Sequence, residues 1–194
     1  MRIIGGKLKG RTLRGPGSDA IRPTSDRLRE MIFNILAHSY GNPAEGARVI
    51  DLYAGTGAMG IEALSRGAVF ALLVDSSAAA CAIIRANAAA CNLGVAAAVL
   101  KRDARKLGAR TEWPRFNLAF LDPPYGRGFV LPALVALRDG GWLAKDTLLV
   151  IEESARARID LPEGFTLCEA RQAGDTQIVF ACLPHPGPSP MSEH

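Results

Sequence analysis
Between Arg48 and Glu152 the chain alternates short apolar runs with helix-forming segments, and this rhythm limits the available folds more than any other feature. Runs such as Ala71-Leu72-Leu73-Val74 and Leu148-Leu149-Val150-Ile151 are apolar along their whole length, with no polar residue at every second position. A strand of that kind must be covered on both faces, which implies a parallel sheet between two layers of helices. The spacing predicts strands at about 47–53, 69–75, 95–101, 116–121 and 147–152, and helices at about 58–66, 77–92, 104–109 and 129–139. Two further strands, about 165–172 and 176–183, have only Ala173-Gly174-Asp175 between them and read as an antiparallel hairpin. The fold class expected is therefore α/β, Rossmann-like: a doubly wound, mostly parallel, seven-stranded sheet with an antiparallel C-terminal hairpin.

The ends of the chain differ from this core. Arg2 to Ile4 and Arg11 to Arg14, with Gly5, Gly6 and Gly10 between them, read as a small hairpin. Thr24 or Ser25 is placed to cap a helix whose residues Leu28, Met31, Ile32, Ile35 and Leu36 form one apolar stripe. This divides the chain into a basic hairpin and helix packed on the core (1–40), a main domain (41–183) and a Pro-rich tail (184–194) that is disordered by composition. Residues 1–30 hold eight basic side chains against three acids, a balance of +5 where the whole chain carries +4. A basic segment of this density suggests a polyanionic partner. Cys81, Cys91, Cys168 and Cys182 form no C-x-x-C pair, and no histidine stands at metal-ligand spacing, so buried thiols and no metal are expected. The first residues lack the apolar stretch of a secretory signal, and the alanine-rich run near residues 76–100 is broken by Asn87, Asn92 and Gly94. A cytoplasmic, membrane-free monomer is the expectation.

The first strand ends in Asp51-Leu52-Tyr53-Ala54-Gly55-Thr56-Gly57, a turn opening a helix where a doubly wound sheet places its ligand. Gly55, Gly57 and Gly60 satisfy G-x-G-x-x-G, and Asp75 follows twenty residues after Gly55, so an NAD-dependent oxidoreductase is a competing reading. The charge of the loop argues against it. Asp51 would repel a pyrophosphate, whereas it suits the ammonium and sulfonium charges of S-adenosylmethionine. Asp75, with Ser76 after it, serves either cofactor by accepting ribose hydroxyl hydrogens, and Asp103-Ala104 at the end of the third strand is placed beside an adenine.

The fourth strand, Phe116 to Leu121, stops at Asp122-Pro123-Pro124-Tyr125. Two prolines remove backbone donors and stiffen the turn, which can present a carbonyl, a carboxylate and a ring to a planar, amino-bearing base. Taken together, the D-x-x-x-G-x-G loop, Asp75, Asp103 and this turn resemble a class I methyltransferase acting on exocyclic amines. The motif by itself leaves DNA, RNA or a protein amide as substrate, and adenine or cytosine as well as guanine. The start of the chain, Met1-Arg2-Ile3-Ile4-Gly5-Gly6-Lys7-Leu8-Lys9-Gly10-Arg11 with Arg22-Pro23-Thr24-Ser25-Asp26-Arg27-Leu28-Arg29-Glu30, resembles more narrowly the small bacterial enzymes that methylate N2 of a guanine in 16S ribosomal RNA. That resemblance, covering residues 1 to about 183, implies a Rossmann-like class I methyltransferase using S-adenosylmethionine, with guanine 966 of the small ribosomal subunit as target. It implies catalytic roles for Asp122, Pro123, Pro124 and Tyr125, and cofactor contacts from Asp51, Tyr53, Gly55, Gly57, Asp75, Ser76, Asp103 and Ala104. Lys7, Lys9, Arg11, Arg14, Arg22, Thr24 and Arg127 are the residues expected to hold RNA.

Overall fold
The computed structural model describes residues 1–15 and 26–183. Helix α1 (Asp26–Ser39) precedes a run of β1 (Arg48–Leu52), α2 (Ala58–Ser65), β2 (Phe70–Asp75), α3 (Ala78–Ala90), β3 (Ala97–Lys101), β4 (Phe116–Leu121), α4 (Val130–Asp139), β5 (Leu143–Ser154), β6 (Thr166–Ala173) and β7 (Thr176–Leu183). The strands form one sheet in the order β3-β2-β1-β4-β5-β7-β6. The first five are parallel to their neighbours, and β7 pairs antiparallel with both β5 and β6.

The unbroken apolar strands are buried as their composition requires. Val49, Ile50, Leu52, Leu72 and Leu73 have no exposed surface. On one face Val49 and Leu73 pack with Ile32, Phe33 and Leu36 of α1, Ile61 and Leu64 of α2, and Ile84 of α3. On the other, Ile50 and Leu72 meet Leu134 and Leu137 of α4 together with Trp142. The chain runs outward from β1 to β3 and then returns to β4 beside β1, so the order reverses between β1 and β4. The crevice at the carboxyl ends of those two strands is where such a sheet receives ligands.

Three local differences from the sequence expectation have visible causes. Strand β5 begins at Leu143, four residues early, because a bulge with Asp146 at φ 56° is absorbed opposite Phe116 and Leu118. Thr147 Oγ1 secures it against the carbonyls of Phe116 (2.9 Å) and Ala144 (2.8 Å). The short helix after β3 is a single 3₁₀ turn, Ala104–Lys106, and Gly108 shortly after it takes φ 70°. The N-terminal hairpin is reduced to one bridge, Arg2 to Thr12, around the 3₁₀ turn Gly6–Leu8.

The two arms of that hairpin are bonded to each other, Ile3 N to Arg11 O (2.9 Å) and Leu13 N to Met1 O (3.0 Å), and α2 holds the segment as well. Buried Glu62 accepts from the backbone nitrogens of Ile4 and Gly5, both at 2.8 Å, and Ser65 Oγ accepts from Leu8 N. Gly6 lies so close that a Cβ would stand 1.9 Å from the Ser65 carbonyl oxygen. Arg29, also fully buried, joins Asp26 (2.9 Å) to Glu62 (3.6 Å), and so ties α1 to α2 under the same segment. The Thr24 or Ser25 cap and the Pro-rich tail lie outside the described residues.

Candidate active site
After β1 the backbone turns through Tyr53 (φ 59°), Gly55 (φ 56°) and Gly57 (φ 80°) before α2 begins. The left-handed values favour glycine at two of these positions, and Tyr53 adopts one despite its side chain. The turn is fixed from the neighbouring strand: Ala54 N donates to Val74 O (3.0 Å), and Gly55 N to Asp75 Oδ2 (2.9 Å). Asp75 Oδ1 also accepts from Ser77 N (2.8 Å), the residue that caps α3. A carboxylate oxygen has two lone-pair sites, so Asp75 keeps acceptor capacity after both bonds.

Gly60 has a different task. A Cβ there would meet Leu73 Cδ2 at 2.9 Å and Asp51 Oδ2 at 3.2 Å, so its absence lets the first turn of α2 settle onto the strand. Its N–H donates to Asp51 Oδ2 at 2.9 Å. Asp51 is only 2% exposed, and burial pushes its pKa up to about 7, with the Asp75 charge adding to the rise and the Gly60 bond opposing it. A buried acid in that state is set to ionise when a cation arrives.

The fourth strand delivers Asp122 beside these groups. Leu121 is paired with Leu52 on one side and Ile151 on the other, so Tyr53, Asp122 and Glu152 follow at the same level of the sheet. Tyr125 turns back toward β5 and β7, where its hydroxyl bonds Glu152 Oε1 (2.5 Å) and Thr176 Oγ1 (3.0 Å). Burial, then the bond to Glu152, raises the phenol's pKa, so it remains a protonated donor near neutrality. Gly126 N donates to Glu153 Oε1 at 3.0 Å, which closes the turn onto the end of β5.

These elements surround one cavity of about 1590 Å³. Asp51, Tyr53, Gly55, Asp75 and Ser76 line one part, and Asp122, Pro123, Pro124 and Tyr125 another. The volume exceeds the roughly 300 to 1,000 Å³ usual for one small ligand, so there is space for a second reactant. Gly57 is absent from the wall; a Cβ on it would meet Leu73 Cδ2 at 3.0 Å. Asp103 and Ala104 do not reach the wall either. The Asp103 carboxylate accepts from Arg105 N (2.9 Å) and pairs with the Arg105 guanidinium (2.7 Å), which holds its pKa below the usual carboxylate value, while Ala104 is buried under the turn.

The sequence reading missed Glu152, Thr176 and Arg171, all on the cavity wall, along with Met31, Asn34 and His38 from α1. A signal existed for Glu152 alone, as an acid ending a four-residue apolar run. Of the residues assigned to RNA, Lys7, Lys9, Arg11, Arg14 and Arg127 are exposed away from the wall, and Arg22 and Thr24 fall outside the described residues. Among the described residues no cluster of three or more His, Cys, Asp or Glu could hold a metal ion.

Residues 1–182 match the family described as "Conserved hypothetical protein 95". The chain belongs to this family. Relatives include "Ribosomal RNA small subunit methyltransferase D" of Escherichia coli, 37% identical over 90% of this chain and 85% of that protein. The protein of the same name in Haemophilus influenzae is 31% identical over 90% of this chain and 89% of its own length. A solved structure of the candidate methyltransferase yhhF from Escherichia coli superposes with a TM-score of 0.80 at 33% identity, covering 95% of this chain and 98% of that one. The family's fold is that of class I methyltransferases, for which S-adenosylmethionine is the methyl donor, and the dinucleotide reading of the glycine loop falls away.

Proposed function
We propose that this protein transfers a methyl group from S-adenosylmethionine to the exocyclic N2 amine of a guanine in 16S ribosomal RNA, guanine 966 by family resemblance. The observation that carries the reading is that Asp122 and Pro123 share one cavity with Asp51, Gly55 and Asp75, across the switch point of the sheet. The donor set fits the cofactor: Asp51, a buried acid with a raised pKa, suits a cationic ligand, and Asp75 suits vicinal hydroxyls. When bound, S-adenosylmethionine supplies an electrophilic methyl carbon on a sulfonium.

The residues of this chain act on the amine. Its lone pair is delocalised into the purine ring and is a poor nucleophile. Accepting its two hydrogens at the Asp122 carboxylate and the Pro123 carbonyl turns the lone pair out of conjugation and toward the methyl carbon. Orientation of this kind lowers the barrier by removing motions that would otherwise have to be frozen during reaction. Asp122 or water then takes the proton released from nitrogen. Tyr125, anchored by its hydroxyl, stacks its ring on the extruded base, a contact worth roughly 1 to 3 kcal/mol. RNA loops present bases already unstacked, so extrusion costs little.

Lys7, Lys9, Arg11 and Arg14, with Arg22, Thr24 and Arg127, hold the RNA backbone around the target. Arg127 stands between Gly126 (φ 67°) and Gly128 (φ 66°), exposed in the turn after the Pro-Pro pair. The protein acts as a cytoplasmic monomer; among the described residues no helix is long and apolar enough to cross a membrane. Asp122→Ala should reduce methyl transfer to small-subunit RNA by at least 100-fold, with calorimetric affinity for S-adenosylmethionine staying within a few-fold. Activity within a few-fold of the parent, or binding of NAD without binding of S-adenosylmethionine, would overturn the reading. Mapping the nucleotide that loses its methyl group in a deletion strain identifies the target.

A further inference from the structure
Glu152, two residues before the end of β5, is placed to do more than continue a strand. It is 7% exposed, lines the same cavity as Asp122, and follows Ile151, the β5 partner of Leu121, so the two acids emerge side by side from adjacent parallel strands. Such strands lie about 4.8 Å apart, and side chains at matching register share a face. Both carboxylates contribute to raising the pKa of the Tyr125 hydroxyl. The hydroxyl donates to Glu152 Oε1 and also meets Thr176 Oγ1 on β7, so the group that orients the carboxylate is itself held before any base enters.

We infer that Glu152 reads the Watson–Crick edge of the target base beside Asp122, accepting the N1–H of guanine and rejecting a purine whose N1 is itself an acceptor. This rests on the methyltransferase reading above, and it adds the choice of base to the orientation of the amine. Guanine presents N1–H and N2–H as neighbouring donors on one edge. Two carboxylates at matching positions on neighbouring strands form the complementary pair of acceptors. Adenine presents an N1 lone pair at the corresponding position, and a carboxylate facing it repels. A site built to bond one polar group rejects an analogue that lacks it far more strongly than an apolar pocket discriminates by size. The Tyr125 bond makes Glu152 rigid enough for that purpose, since an unrestrained glutamate could swing away from the wrong base.

The test uses 2,6-diaminopurine, which keeps the N2 amine but carries an unprotonated N1. Small-subunit particles reconstituted with guanine or 2,6-diaminopurine at the target nucleotide are offered to the parent, to Glu152→Gln and to Glu152→Asp. The parent should prefer guanine by roughly 100-fold in kcat/KM. In Glu152→Gln the Tyr125 hydroxyl still has the amide oxygen as acceptor, so the NH₂ turns toward N1. The preference should fall at least ten-fold, through loss on guanine and gain on diaminopurine. Glu152→Asp keeps a carboxylate and should keep the preference at a lower rate. Equal losses on both bases in Glu152→Gln, with the ratio unchanged, would overturn the assignment and leave Glu152 as a support for Tyr125. So would loss of the preference in Glu152→Asp. A parent that methylates neither particle would instead overturn the methyltransferase reading itself.

Discussion
Asp51 shows how a single residue can set function against stability. It is fully enclosed, yet the chain places an acid there, and its pKa rises from an ordinary 3.8 to about 7 because burial disfavours the charged form. An acid whose folded pKa is raised contributes most below its unfolded pKa, and that contribution is lost as the pH climbs toward the folded value. Stability should therefore decline between about pH 4 and pH 7 and level off above, a total of roughly 4 kcal/mol at 1.36 kcal/mol per pKa unit. Asp51→Asn removes this slope while leaving an oxygen for the Gly60 N–H. Thermal melts across pH should show the variant more stable than the parent at pH 8, with the advantage shrinking toward pH 4. Calorimetry should show its affinity for S-adenosylmethionine reduced at least ten-fold at pH 8. A variant that binds the donor as well as the parent would remove Asp51 from the cofactor's charge balance.

At the scale of elements, α3 joins two segments that the sequence keeps far apart. Asn87 has no exposed surface; its Oδ1 accepts from Arg14 N (2.8 Å), and its Nδ2 donates to Arg14 O (3.1 Å) and to Thr56 O (2.9 Å). One side chain thus fastens both the basic N-terminal segment and the glycine loop to the same helix. Stranding buried polar groups costs about 1 to 3 kcal/mol. Asn87→Ala should lower stability by that order, and it should speed amide exchange in residues 11–15 and in the glycine loop more than in β4 and β5. Uniform acceleration across the sheet would mean a general loss of stability without local release. Nothing local in the sequence marks this role: Asn87 stands there as a break in an apolar run, and its partners lie 31 and 73 positions away. The strands and the glycine turn were legible because their signals are local: unbroken apolar runs, and glycines where φ is positive. The meeting of Glu152 and Thr176 at Tyr125 was not, since it depends on how β7 pairs with β5, with Ser154 opposite Thr176. Asp103 stood out as an acid at a strand end, but Arg105 two residues later satisfies it locally, and the cavity wall forms without it.

Over the whole molecule, charge and cavity divide the work of binding. The first thirty residues hold a balance of +5 and leave the rest of the chain at −1, so the net positive charge is concentrated in one segment, while Asp51, Asp75, Asp122 and Glu152 line the cavity. Arg27 and Arg171 also line the cavity. Phosphate contacts supply affinity without choosing a base, and each one neutralised on a single strand steepens the logarithmic salt dependence by about 0.7. Lys7 and Lys9 are exposed on the 3₁₀ turn and its flank, on a segment whose backbone is held by Glu62 and Ser65, so replacing their side chains leaves the anchoring bonds in place. The double variant Lys7→Ala with Lys9→Ala should therefore fold normally and bind RNA more weakly. Its log-log salt slope should be shallower by about 1.4, two phosphates at the single-strand increment. Lys106→Ala, beside the apolar cluster on the α4 side of the sheet, should leave the slope unchanged. Affinity for S-adenosylmethionine should be the same in all three proteins, because none of these lysines borders the cavity. Filter binding over a range of salt concentrations measures the slopes directly. Equal slopes in the parent and the double variant would place the RNA backbone on another surface, with Arg27 and Arg171 at the cavity the first residues to test.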